Sequence, residues 1–262
     1  MIDIIIPTKG NTDYLFKCIL SIRDKTVSTP YHIYICDTGS TSEEITLIEE
    51  FIRNNFKELK NVTLLKFNYY SFPRINNYAV ENNCKSDVIL FCNNDIELID
   101  NCIDRMYDVI CSREDVGTVG CRLLFEDGTI QHAGQFAFIL NNHLEVTHRG
   151  LRTNNTFEPE EPIMGNTAGF MMIKREVFFE AGLFNPNYIE CFEDVELNWS
   201  VFLNGKTNIY LDCVSATHFE STTRNMNPES RSRLMYDYKN NLVPFFDALT
   251  SLESSSLLDF NR

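Results

Sequence analysis

Four apolar runs rich in β-branched side chains punctuate the first hundred positions: Ile2–Ile6, His32–Cys36, Val62–Phe67 and Val88–Cys92. Their length and composition suit strands buried on both faces, as in a parallel sheet. Between the first two, Asn11–Arg23 places Tyr14, Leu15, Cys18, Ile19 and Ile22 at helical spacing, and Ser42–Phe56 repeats the pattern with Ile45, Ile48, Phe51 and Ile52. This alternation predicts βαβ units with helices packed on the sheet. Thr41-Ser42-Glu43-Glu44 supplies a hydroxyl and early acids, the signature of a helix N-terminus. The loop just before it, Asp37-Thr38-Gly39-Ser40, then presents backbone amides near a helix start.

Beyond about residue 115 the pattern becomes mixed. Val116–Leu124 reads as a strand, Glu126–Thr129 as a hairpin-type turn and Ile130–Leu140 as one further extended stretch. Leu151–Pro162 is polar and reads as a mobile loop. Ala168–Ile173 follows as a strand, Lys174–Ala181 as a short helix closed by Gly182, and Val195–Leu203 as a helix closed by Gly205. Thr207–Cys213 is strand-like, and the chain from Pro228 reads as helical before a Ser-rich end.

At 262 residues and 44% hydrophobic content, the chain can bury one sizeable core. A formal net charge of -14 argues against nucleic acid as a partner, because that binding rests on Lys and Arg neutralising phosphates. Nine cysteines, without paired CxxC spacing and mostly inside apolar runs (Cys36, Cys92, Cys121, Cys213), point to a reducing cytoplasm rather than to disulfides or structural zinc. The apolar start is too short for a signal peptide, and no run approaches the roughly 20 residues of a membrane helix, so the expected membrane contact is at most peripheral.

The chemistry concentrates where apolar runs end. Val88–Cys92 stops abruptly at Asn93-Asn94-Asp95-Ile96-Glu97, and the carboxyl ends of strands are where open α/β sheets bind ligands. Asp95 is a hard oxygen ligand suited to Mg²⁺ or Mn²⁺, which use one or two protein carboxylates and complete their shell with water and substrate phosphate. Asp37 ends the second strand at the same sheet edge, placed either to accept from a nucleobase or to cap its own turn. Glu193-Asp194 opens a helix, where adjacent acids either cap or leave one carboxylate as a general base. His218 follows a strand and is a candidate metal or diphosphate ligand. Arg74 and Arg224 are candidate diphosphate clamps, while His132 and His148 belong to the neighbourhood of the polar loop.

Taken in order, these pieces resemble the inverting family 2 glycosyltransferases of GT-A fold. The carrying motifs are Ile4-Ile5-Ile6-Pro7-Thr8, Cys36-Asp37-Thr38-Gly39-Ser40, Phe72-Pro73-Arg74-Ile75-Asn76-Asn77 and Leu90-Phe91-Cys92-Asn93-Asn94-Asp95 in the first part. Asp127-Gly128-Thr129-Ile130-Gln131-His132-Ala133-Gly134, Thr167-Ala168-Gly169-Phe170-Met171-Met172 and Phe192-Glu193-Asp194-Val195-Glu196-Leu197 continue the set. The resemblance implies a single α/β domain over residues 1–227, with a mostly parallel Rossmann-like sheet flanked by helices, followed by a helical tail over 228–262. Residues 1–115 would form the nucleotide-binding half and 116–227 the acceptor-binding half.

It implies further that Pro7, Thr8, Asp37, Asn68, Arg74, Asn94 and Asp95 bind the nucleotide, and that Asp95 and His218 hold Mn²⁺ or Mg²⁺. Asp194, with Glu193 beside it, becomes the catalytic base, and Ala168, Gly169 and Trp199 line the acceptor side. The reaction implied transfers a sugar from a UDP- or dTDP-sugar to a hydroxyl of a glycan, glycolipid or glycoprotein, with inversion. Asn93 and Asn94 stand where the family often carries an acid, implying a weaker hold on the metal, and Ser200 stands where an Arg often follows the Trp. Two other readings of these residues are a non-catalytic sugar-nucleotide or glycan-binding module on the same fold and a nucleotidyltransferase. The latter lacks a Gly-rich basic loop after the first strand, where the chain has only Thr8-Lys9-Gly10-Asn11.

Overall fold

The computed structural model describes residues 1–56, 61–140, 143–219 and 228–252. Strands β1 (Ile2–Thr8), β2 (Tyr31–Asp37), β3 (Val62–Lys66) and β4 (Val88–Cys92) are joined by helices α1 (Thr12–Lys25), α2 (Ser42–Asn55) and α3 (Phe72–Asn82). The four strands run parallel in the order β3-β2-β1-β4. Thr8 pairs with Asp37 in this register, so the polar strand ends gather at one edge of the sheet.

The chain continues through β5 (Ile96–Leu98), α4 (Cys102–Ser112), β6 (Val116–Leu124), β7 (Ile130–His132), β8 (Gln135–Leu140), β9 (His143–His148), β10 (Glu160–Ile163) and β11 (Phe170–Lys174). After α5 (Arg175–Glu180) and α6 (Glu193–Leu203), β12 (Thr207–His218) completes the sheet. β11 is antiparallel to both β4 and β6, while β12 runs parallel to β6 and carries β10 on its outer edge. The sheet is thus mostly parallel, with the antiparallel β11 set between the parallel block β4-β1-β2-β3 and the parallel pair β6-β12.

Apolar side chains fill both faces, which gives the three-layer arrangement that βαβ patterning requires. Ile4 and Ile6 pack with Leu15 and Ile19 of α1 and Ile103 and Met106 of α4 on one face, all fully buried. Ile5 and Phe91 pack with Ile75 of α3, Phe178 of α5 and Leu197 of α6 on the other. Each such side chain contributes about 1.5–3 kcal/mol when removed from water. Thr41 forms the expected capping box with Glu44 at the start of α2. α3 and α4 extend the expected set of helices; in α3 the asparagines interrupt the apolar stripe, although Asn76 is itself buried.

A smaller unit stands beside the main sheet. β8 and β9 form a separate hairpin, and Ala137 and Leu144 of that hairpin pack with Tyr188, Trp199, Leu242 and Phe246. The last two come from the tail, which folds as α7 (Pro228–Asp237), a π-helical turn over Tyr238–Leu242 and α8 (Val243–Leu252).

Three sequence expectations change in detail. The single extended stretch Ile130–Leu140 is two strands, β7 and β8, bent at Gly134, whose φ of +97 favours glycine and whose added Cβ would lie 2.3 Å from Ile163. The polar segment Leu151–Pro162 is tied down rather than free: Phe157 donates its amide to Asp212 at 3.0 Å, Arg149 stacks on the Phe157 ring, and the segment's end enters β10. All nine cysteines are free, yet Cys213 is exposed, because β12 shifts register between Leu211 and Ser215 and turns that residue outward.

Candidate active site

A cavity of about 930 Å³ opens where β1 and β4 end, and it reaches across to α6, β12 and the tail. Pro7 and Thr8 from β1 and Asn93, Asn94 and Asp95 beyond β4 form one wall. Asn94 Nδ2 donates to Thr8 Oγ1 at 2.9 Å, and the Asn93 amide donates to the Gly169 carbonyl at 2.8 Å. The strand ends therefore brace one another through adjacent backbone. Gly169 leaves little spare room, since an added Cβ would lie 3.3 Å from Asn93 Nδ2 and 3.4 Å from the His218 ring.

Asp95 and His218, 3% and 5% exposed, meet in this cavity. His218 Nε2 lies 3.3 Å from Asp95 Oδ1, and Asn93 Nδ2 lies 3.2 Å from the same nitrogen. On the other side of the ring, His218 Nδ1 lies 2.5 Å from Gln131 Oε1. An amide oxygen only accepts, so Nδ1 carries the hydrogen and Nε2 is the ring atom turned toward Asp95, where its lone pair would be open to a cation. Two acceptors side by side, one anionic and one oriented from behind by a second residue, make a donor set that fits a shared divalent cation. Among the described residues no group of three or more His, Cys, Asp or Glu is placed to enclose an ion. The set therefore suits an open site completed by water and phosphate, as Mg²⁺ and Mn²⁺ use.

Asp194 faces the same cavity from the first turn of α6. Its Oδ2 accepts from Gln135 Nε2 at 3.1 Å and from the Ala168 amide at 3.0 Å. Both bonds land on one oxygen, which leaves Oδ1 for a substrate hydroxyl. Phe192 precedes the helix in a left-handed conformation, φ 78, which for an aromatic residue costs on the order of 1–3 kcal/mol and must be held by its surroundings. Asn198, one turn beyond Asp194, exchanges bonds with the Asn166 backbone at 2.8 and 3.1 Å and so fastens α6 to the segment that carries Ala168. Glu196 is used elsewhere: it accepts from Tyr188 at 2.7 Å. Burial first, and then the Glu196 charge, push the Tyr188 hydroxyl well above its ordinary range and keep it a donor.

His132 and His148 also line the cavity, with their Nδ1 atoms 2.8 Å apart. His132 is fully buried, and desolvation followed by the charge of His148 holds it well below the usual imidazole range. His132 is therefore held neutral, hydrogen-bonded to His148 in the cavity wall.

The structure brings together Pro7, Thr8, Asn94, Asp95, Ala168, Gly169, Glu193, Asp194 and His218. Asp37 is buried at the same sheet edge but spends its carboxylate on its own turn, accepting from the amides of Gly39 and Ser40 at 3.2 and 3.1 Å. Asn68 and Arg74 are exposed and do not line the cavity. Trp199 corrects the acceptor-side expectation: it is 2% exposed and packs edge-on against Phe246 of the tail, because its position on α6 faces the hairpin and tail rather than the cavity. Arg224 lies outside the described residues. Sequence reasoning did not assign roles to Gln131 and Gln135, which orient His218 and Asp194. Their signal was present in the segment Ile130-Gln131-His132-Ala133-Gly134-Gln135, where two amides sit among apolar and small residues.

Comparison with known proteins shows the family and the fold. Residues 3–181 match the family described as Glycosyl transferase family 2. The chain is 28% identical over 253 residues to the O-antigen biosynthesis protein RfbC of Myxococcus xanthus, covering 90% of this chain and 19% of that protein. It is 26% identical over 241 residues to the uncharacterized protein y4gI of Sinorhizobium fredii, covering 89% of this chain and 26% of that protein. The chain thus spans about a fifth to a quarter of the length of these curated relatives.

Among solved structures, GalNAc-T7 with UDP, GalNAc and Mn²⁺ superposes with a TM-score of 0.67 at 15% identity, over 84% of this chain and 43% of that one. The mannosyltransferase PcManGT of Pyrobaculum calidifontis, in complex with GDP-Man and Mn²⁺, gives 0.59 at 10% identity, over 97% and 76%. S. aureus TarS 1-349 gives 0.59 at 12%, over 98% and 76%. These likenesses show the fold, and with more than half of its length matched by the family, the chain belongs to glycosyl transferase family 2 and carries the GT-A type of α/β domain.

Proposed function

We propose that the protein is an inverting, metal-dependent hexosyl- or deoxyhexosyltransferase that moves a sugar from a UDP- or dTDP-sugar to a hydroxyl of a glycan, glycolipid or glycoprotein. Its place of action is the cytoplasm, with peripheral membrane contact where the acceptor is membrane-bound; no helix among the described residues is long and apolar enough to cross a membrane. The observation that carries the reading is the convergence in one cavity of an oriented carboxylate, Asp194, and an acceptor pair suited to a cation, Asp95 with His218.

Pro7, Thr8 and Asn94 contact the donor, and Ala168 and Gly169 border the acceptor. Mn²⁺ or Mg²⁺ on Asp95 and His218 would supply charge neutralisation for the departing nucleoside diphosphate. Asp194 Oδ1 takes the proton of the acceptor hydroxyl as that oxygen forms its bond to the anomeric carbon. The bond from that carbon to the diphosphate breaks on the opposite side, its electron pair leaving with the phosphate oxygen, so configuration inverts. Gln135 and the Ala168 amide keep the carboxylate aimed during this transfer, the kind of positioning that sets rate rather than affinity.

The test is Asp194→Asn. Positioned general bases contribute about 10²–10⁴-fold, so kcat should fall by about a thousandfold while calorimetric binding of UDP with Mn²⁺ stays within about twofold. Equal loss of binding and turnover would assign Asp194 to the fold instead. Failure of the wild type to bind UDP or dTDP, with or without Mn²⁺, would overturn the donor assignment.

A further inference from the structure

A buried carboxylate of the tail holds the loop at the acid-bearing end of the cavity. Asp237 ends α7 and is 0% exposed. It accepts from three successive backbone amides of the loop before α6: Ile189 at 3.0 Å, Glu190 at 2.6 Å and Cys191 at 3.2 Å. Asn241 Nδ2 adds a fourth donor at 3.2 Å, and the same Asn241 amide donates to the Asn187 carbonyl at 3.1 Å. A buried carboxylate surrounded by convergent amides is strongly held, and it holds the amides in return.

The next residue in the loop is the left-handed Phe192, and Glu193 and Asp194 follow at once. Phe192 itself packs edge-on against Tyr238 of the tail, whose hydroxyl donates to the Leu144 carbonyl of the hairpin at 2.5 Å. These contacts sit at the π-helical turn that begins immediately after Asp237. A widened helical turn of this kind is uncommon and often marks a working site.

We infer that Asp237 is a positioning residue for transfer: it clamps residues 189–191, stabilises the left-handed turn at Phe192 and thereby sets the direction of Asp194. This rests on the role of Asp194 proposed above. It makes the tail part of the catalytic unit, although Asp237 lies beyond residues 3–181 matched by the family. The clamp makes no bond to Thr8, Asn94 or Asp95, and Asn94 bonds Thr8 directly, so nucleotide binding is expected to survive its loss.

Asp237→Asn keeps the volume but replaces one accepting oxygen with a donor, and Asp237→Glu retains the charge with a longer arm. The donor panel is UDP-glucose, UDP-N-acetylglucosamine and dTDP-rhamnose, with Mn²⁺ and release of nucleoside diphosphate as the readout. Misplacement of a reacting group by about 1 Å costs on the order of a hundredfold. The expected result for Asp237→Asn is a kcat lower by about that factor, KM for the donor within about twofold, UDP binding unchanged, and partial recovery in Asp237→Glu. Hydrogen exchange should quicken at the amides of residues 189–191 and not in β1 or β4.

Unchanged kcat and unchanged exchange in a folded Asp237→Asn protein would overturn the proposal. So would parallel loss of UDP binding and turnover, or unfolding of both variants, since the residue would then support the whole fold. If the wild type turns over no donor, the transferase reading fails by itself, and the exchange and UDP-binding measurements still decide whether Asp237 clamps this loop alone.

Discussion

At the ends of β1, β2 and β4 the polar groups are held by the regular sheet: Asp37 closes its own turn, and Asn94 reaches Thr8 across adjacent strands. On the far side of the cavity each group is aimed by a side chain from an element distant in the chain. Asp194 leans on Gln135, 59 positions away, His218 on Gln131, 87 positions away, and the loop before α6 on Asp237, 46 to 48 positions away. The first arrangement uses bonds within one turn or between neighbouring strand ends, whereas the second uses bonds between segments far apart in the chain. Loss of a side chain that only positions its neighbours should therefore be tolerated better on the first wall than on the second.

The largest expected effect lies where the two walls meet, at Asp95 and His218. Thermal stabilisation by UDP in the presence of Mn²⁺ should drop to the level of UDP alone in both Asp95→Ala and His218→Ala, since a ligand bound only to the folded state raises its stability. Retention of the full Mn²⁺-dependent shift in His218→Ala would remove that ring from the ion's shell and leave the cation with the first wall only.

A matched pair of truncations sharpens the contrast at intermediate size. Gln135→Ala removes one of two bonds that aim Asp194, so kcat should fall by about ten- to a hundredfold, the roughly 1.5–3 kcal/mol of a bond to a charged group, while the Ala168 amide remains. Asn94→Ala, which removes one side-chain bond to Thr8 and a proposed donor contact, should raise KM for the donor while changing kcat by less than about threefold, because it does not touch Asp194. Equal losses in steady-state assays of the two variants would erase the distinction between the walls.

The smallest effect is a pH dependence on the second wall. Burial keeps His132 neutral in the folded chain, whereas the unfolded chain takes up a proton near an ordinary pKa of about 6.5. Stability associated with neutral His132 is then complete above that pH and declines as pH falls below it, because only the unfolded state binds the proton. Tm measured between pH 7.5 and 5 should decrease on acidification, and the slope should be shallower in His132→Asn. An identical slope in the variant would exclude His132 as its source.

Much of the framework was legible along the chain. β1 to β4, α1, α2 and α6 followed from local periodicity, because alternating burial on a sheet face and the 3.6-residue repeat of a packed helix are imposed on consecutive residues. The capping box at Thr41 followed from spacing alone. That Asp95, Asp194 and His218 share a cavity accords with the family resemblance, while the strand-end position of Asp95 followed from the abrupt end of an apolar run.

Tertiary structure alone decided how those groups are aimed. The left-handed Phe192, the choice of Oδ2 of Asp194 as the bonded oxygen, the tautomer imposed on His218 by Gln131 and the burial of Trp199 under the tail carry no periodic signature. Each depends on one directional contact between segments far apart in the chain, and such contacts are specified only after the hydrophobic layers have set the distances between them. The amino-acid order determined which elements form and which chemistry reaches the cavity; the packed fold determined its orientation, because a hydrogen bond requires both its partners within about 3 Å and in line.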